Sequence, residues 1–145
     1  MSFTTRDAYA TSSGGIGIGT TTNKARSNAI INFAIDGTTT SKASTDDLWT
    51  LSGTALTTHQ VCVFWLLLDA SGTASVSQSA INTASTAASG YVAGAYGWPQ
   101  FASKVVVGAI LVKSGGSAFT PGTTALTGVA TYFNQAGDYG KPIVF

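Results

Sequence analysis

The 145-residue chain contains no glutamate, one cysteine and one histidine, and charged residues make up only 9% of it. Each scarcity removes a class of function. Its 6 acidic residues are all aspartate, which favours turns and caps where glutamate favours helices, so the chain leans away from helix. A lone cysteine, Cys62, excludes an internal disulfide framework, and its place inside an apolar run reads as a small buried hydrophobe. One histidine and one cysteine are too few for a zinc site, which takes about four ligands. On a strand His59 and Cys62 would point to opposite faces, which serves a nucleophile–base pair poorly, and His59 reads as the end of a strand. The net charge is +1, with Arg6, Lys24, Arg26, Lys42, Lys104, Lys113 and Lys141 scattered along the chain. A nucleic-acid binder shows a basic excess on one face, and none is expected here. So little charge also weakens solubility and suits a protein held in a large assembly.

Long apolar runs are missing too. A bilayer span needs about 20 consecutive apolar residues, whereas the run "VCVFWLLL", Val61–Leu68, ends at Asp69. No membrane segment is expected. The opening "MSFTTRDAYATSSGG" lacks the basic-then-apolar layout of a secretory signal, so folding in a cytoplasm is expected. "GGIGIGT" has the wrong glycine spacing for a dinucleotide loop, and "TTTNKARSN" after it is a poor helix. Asp46 and Asp47 are adjacent, and Asp36 and Asp69 fall at predicted turns. Their spacing matches no calcium loop, and turn and cap hydrogen bonding accounts for all four. No pair of carboxylates is singled out for acid–base work. No metal, cofactor or enzymatic activity is therefore expected.

What the chain does have is β-prone segments divided by glycine, Asx and proline turns. "NAIINFAID" reads as a strand, "DGT" as a hairpin turn and "TTTSKAS" as the returning strand. "TDDLWTLSG" reads as a corner. The Val61–Leu68 run turns at "DASG" and pairs back through "TASVSQS". Residues 80–100 read mostly as loop, "KVVVGAILVKSGG" as a second unbroken apolar strand, "FTPGTTAL" as a type II turn, and "GVATYFNQ" and "KPIVF" as closing strands. The expected fold is an all-β antiparallel sandwich, jelly-roll-like or simpler. An extended N-terminal arm covers residues 1–20, with a short strand at "IGIGT", and one domain covers 21–145.

Two strands break the alternation that a half-exposed sheet requires. Val61, Val63, Trp65 and Leu67 share one face of the first, and Cys62, Phe64, Leu66 and Leu68 the other. In the second, strict alternation puts Val105, Val107, Ala109 and Leu111 opposite Val106, Gly108, Ile110 and Val112. Gly108 and Ala109 leave room for a bulky Phe64 or Trp65. Both strands are expected to be covered on two sides. The economical cover is another subunit; the alternative is the 80–100 loop folding back.

Five segments in order carry a resemblance. They are the Ile-Asp-Gly hairpin (Ile35–Gly37), Lys-Ala-x-Thr-Asp (Lys42–Asp46), the Cys-led strand with Gly-Thr-Ala-x-Val after it (Cys62–Val76), Val-Gly-x-Ile-x-Val (Val107–Val112) and Phe-Thr-Pro-Gly-Thr-Thr-x-Leu (Phe119–Leu126). Across residues 16–127 the chain resembles a family of small virion proteins of tailed bacteriophages, described as capsid decoration, cement or head-fibre-type proteins. The resemblance implies a β-rich, non-enzymatic protein on the capsid exterior, binding the major capsid protein and forming trimers. It brings no catalytic residues. On this reading Phe64, Trp65, Leu66, Val106, Ile110 and Val112 serve self-association or core, and Phe3, Arg6, Tyr9, Tyr91, Tyr96 and Trp98 serve capsid or ligand contact. The alternative is a receptor-binding or fibre-associated module that stacks a bacterial glycan on Tyr91, Tyr96 and Trp98.

Overall fold

The computed structural model describes residues 8–83, 94–138 and 141–145. The protein is an all-β, sandwich-like fold of antiparallel sheets, with one four-residue helix among the described residues. Its centre is a pair of ten-residue strands, β7 (Gln60–Asp69) and β11 (Lys104–Lys113), paired antiparallel. β8 (Ala74–Gln78) and β9 (Asn82–Thr83) extend the sheet beyond β7, and β12 (Ala130–Asn134) extends it beyond β11. Two three-stranded sheets lie across its front. One is β1 (Ala8–Ala10), β4 (Ile31–Ile35) and β5 (Thr38–Lys42), in the order β1-β4-β5. The other is β2 (Ile16–Ile18), β3 (Lys24–Ser27) and β6 (Thr45–Thr50), in the order β2-β3-β6. Behind it sits a short ribbon of β10 (Ala95–Tyr96) and β13 (Ile143–Val144).

The turns are the ones their residues demand. Asp36 and Gly37 both have positive φ (50° and 80°), the type I′ geometry of a two-residue hairpin. Gly122 follows Pro121 with φ 76°, as a type II turn requires, and the Thr123 amide bonds back to the Thr120 carbonyl. At the β7–β8 turn the Asp69 carboxylate accepts from the amides of Ser71 and Thr73.

Both faces of the central pair are buried, by different means. Cys62, Phe64, Leu66, Leu68, Val105, Val107, Ile110 and Val112 join Phe33, Trp49, Leu56 and Phe119 in the main core beneath the front sheets. Val61, Val63, Trp65, Leu67, Val106, Ala109 and Leu111 form a second cluster under Tyr96, Ile143 and Phe145, with Trp98, Phe101 and Phe133 packed against it. The chain thus covers both sides of its own sheet. The cover is residues 94–101 together with 141–145, and no neighbouring subunit is needed for it.

Three sequence expectations change. β11 does not alternate strictly, because the register against β7 shifts between Val106 and Gly108. The extra residue of that bulge, Val107, keeps Val105, Val107, Ile110 and Val112 on one core and moves Val106, Ala109 and Leu111 to the other. Ala109 stands opposite Trp65 as size matching required, but Gly108 makes room for Ile16. "TDDLWT" is strand rather than corner: β6 runs through it, with Asp46–Leu48 spanning the length that Arg26 alone covers in β3. Within the expected arm, residues 8–10 are a strand of one front sheet, and the short strand expected at "IGIGT" is β2 of the other, with Ala8, Ala10 and Ile16 buried.

A Cβ at position 108 would run into Ile16 Cδ1 and lie 2.7 Å from the Phe133 carbonyl oxygen. Backbone cannot step aside as a flexible side chain can. Gly108→Ala is expected to lower unfolding free energy by about 1–3 kcal/mol, measured by urea denaturation with an unchanged slope.

Candidate functional site

The residues with chemical potential are built into the frame. Cys62 is fully buried with its sulfur 3.5 Å from Gln78 Nε2, and burial pushes its thiol up to about 11. That is the opposite of an activated thiolate. His59 is exposed in the turn before β7 with φ 57°, its backbone amide bonded to the Gly115 carbonyl. Asp46 and Asp47 sit where β6 bulges out, Asp47 with φ 50°. Asp46 Oδ1 accepts from the Thr20 amide at 3.0 Å, and Asp47 accepts from the amide and hydroxyl of Thr21. The hydrogen bonds from Thr20 hold the Asp46 carboxyl below the usual carboxylate range, with a smaller contribution from Arg26 4.0 Å away. The two carboxylates tie the 20–21 turn to β6.

Of the aromatics considered for ligand contact, Tyr96 is buried. Its hydroxyl donates toward the carbonyls of Val61 and Ala80 and accepts from Asn82 Nδ2, and its ring lies 5.0 Å from that of Phe145. Trp98 is half-buried: its indole N–H donates to the Lys141 carbonyl, and its ring packs at 5.3 Å on Trp65. Both act as cover for the back of the sheet. Tyr9 is half-buried in β1, opposite Ala34. Phe3, Arg6 and Tyr91 lie outside the described residues. Phe64, Trp65, Leu66, Val106, Ile110 and Val112 are all core. The structure therefore brings Trp65, Val106, Tyr96 and Trp98 together in one cluster and the remaining core residues in the other.

Sequence reasoning passed over the open flank. An open groove of about 330 Å3 lies across the β1-β4-β5 sheet, lined by Thr11, Asn32, Phe33, Thr39, Thr40 and Ser41. β5 is the outermost strand of its sheet, and Thr38, Thr39 and Ser41 are exposed. The signal was present in "TTTSK", a strand polar on both faces beside a hairpin turn, which belongs at an edge.

Family models, curated proteins and solved structures were compared with the chain, and none matches it.

The raised pKa of Cys62 ties stability to alkaline pH. The unfolded thiol ionises near its ordinary 9.0 and the folded one near 11. The folded state then binds more protons, so this contribution is constant below pH 9 and declines as pH rises from 9 towards 11. The gap in unfolding free energy between wild type and Cys62→Ala is expected to narrow over that window. Denaturation at pH 7 and at pH 10.5 measures it.

Proposed function

We propose that this chain is a non-enzymatic virion protein of a tailed bacteriophage, decorating the capsid exterior by binding the major capsid protein. One observation carries the reading. The five segments of the family resemblance interlock as the frame of a single fold rather than falling on unrelated surface. Ile35–Gly37 closes the β4–β5 hairpin, and Lys42–Asp46 links the two front sheets. Cys62–Val76 is the β7–β8 hairpin, and Val107–Val112 holds the bulge of β11. Phe119–Leu126 bridges to Leu56 and bonds to Thr22 and Asn23.

The disposition of reactive groups supports the same reading. Cys62, Asp46, Asp47, Asp69 and Tyr96 are each engaged in holding a turn, a strand or the back cover. What faces outward around β5 is threonine and serine, suited to contact rather than turnover. Binding to assembled capsid alone would stabilise the shell by mass action. We propose no role in self-association for the apolar strands, which are covered within the protomer.

Phe3 and Arg6 precede β1 and are the proposed capsid contacts, an aromatic and an arginine being the side chains that dominate interfaces. Removing residues 1–7 leaves β1 in place, whereas a cut after residue 14 would delete it. The full chain is expected to co-sediment with expanded empty capsids, saturating at a fixed number per capsomer. The shortened chain should need about tenfold or more protein for the same occupancy. Absence of saturable capsid binding by the full chain, or binding to bacterial polysaccharide in its place, would overturn the proposal.

A further inference from the structure

The edge of β5 has a pattern that selects its own partner. Ile35 and Thr38 flank a two-residue turn and so form a hydrogen-bonded pair, and alternation makes Phe33–Thr40 and Ile31–Lys42 bonded pairs as well. The amide and carbonyl of Thr39 and Ser41 therefore point away from β4. Asn32, opposite Ser41, agrees: its amide bonds to Ser12 Oγ and its carbonyl accepts from Thr11, both on the far side. Among the described residues nothing bonds to the outward groups of Thr39 and Ser41. The opposite edge of the sheet is treated differently. There the Ala10 amide donates to Oε1 of Gln135, a buried side chain at the start of α1 (Gln135–Asp138).

We infer that two copies of this chain pair antiparallel through β5, about a two-fold axis at Thr40, forming one continuous six-stranded sheet. The inference goes beyond the proposed function and holds whether or not the chain sits on a capsid. In this register Thr39 lies opposite Ser41 of the second copy, each pair exchanging both N–H···O bonds, with hydroxyls meeting on one face. Charge favours the same arrangement. Lys42, the only charged residue of β5, lies opposite the uncharged Thr38 of the second copy, with that copy's Asp36 just beyond. A parallel in-register stack would set Lys42 upon Lys42 and is disfavoured. With Gln135 bonded at the β1 edge, pairing uses up the open edge of this sheet in each copy. Through this sheet the assembly closes at two rather than growing into a fibre.

The outward amide of Ser41 makes no bond to β4, so Ser41→Pro removes it while sparing the hairpin; proline is tolerated on such an edge. Sedimentation velocity from about 1 to 100 μM, a range in which micromolar affinities show, should give a monomer–dimer equilibrium for wild type. Ser41→Pro should raise the dissociation constant about tenfold or more, with an unchanged melting temperature at concentrations low enough for both proteins to be monomeric. Thr39→Lys sets two like charges diagonally across the axis and should give a monomer at low salt. Combining Thr39→Lys with Ser41→Glu sets opposite charges face to face across the two copies and should restore the dimer. Wild type monomeric throughout, or a trimer, or a dimer indifferent to all three variants, would overturn the inference. The first of these would hand the edge to a strand of another protein.

Discussion

Everything in this molecule answers to one constraint, a central pair of strands with apolar side chains on both faces. A sheet wet on one side lets alternate residues remain polar, and Val61–Leu68 and Val105–Val112 offer none. At about 25 cal/mol per Å2 of apolar surface, leaving either face to water would forfeit a large share of a domain's marginal stability. The two covers divide the work unequally. Two three-stranded sheets build the front, anchored by Phe33 and by Trp49, whose indole N–H reaches the Leu67 carbonyl. A two-strand ribbon and a few aromatics suffice at the back. The bulge at Val107 reconciles them, because it changes which residues of β11 face each side partway along the strand.

With so few charges, the sheets are joined by side-chain amides instead of ion pairs. Gln135 receives the Ala10 amide, and Asn134 receives that of Ile16, fastening both front sheets to the end of β12. Gln78 meets the amide and carbonyl of Thr54 together, as a neighbouring strand would. Asn23 and Asn28 bond to the carbonyls of Gly122 and Gly15. Neutral joints of this kind satisfy backbone groups left over at sheet ends, which would otherwise be costly to bury. They are also indifferent to ionic strength in a way that surface ion pairs are not.

The strands and turns were legible because their signals are local. Asp36-Gly37 and Pro121-Gly122 specify backbone angles by themselves, and Val, Ile and Phe runs mark strands wherever they pack. The two-faced burial of β7 could also be read directly from its composition. Three things could not. The bulge falls beside Gly108, where Ile16, distant in sequence, fills the space a side chain would need. The identity of the back cover depends on Ile143 and Phe145 reaching the strand at Ala95–Tyr96, with Gly94 leaving space for the Phe145 ring. Trp98 looked like an exposed loop aromatic because nothing in its neighbours foretells that Trp65 lies beneath it. The candidate contact surface was least legible of all, since an edge strand is defined by what fails to pair with it.

The back cover also sets the order in which the chain can hide itself during synthesis. Ile143 and Phe145 lie over Val61 and Trp65, which leave the ribosome long before them. Until the later pair emerges, that side of the central sheet has only Tyr96, Trp98 and Phe101 to cover it, and pairing across such long separations is slow in any case. A nascent chain of this design therefore stays sticky well after its central strands are made, and a stop codon ahead of Ile143 would leave it in that condition permanently.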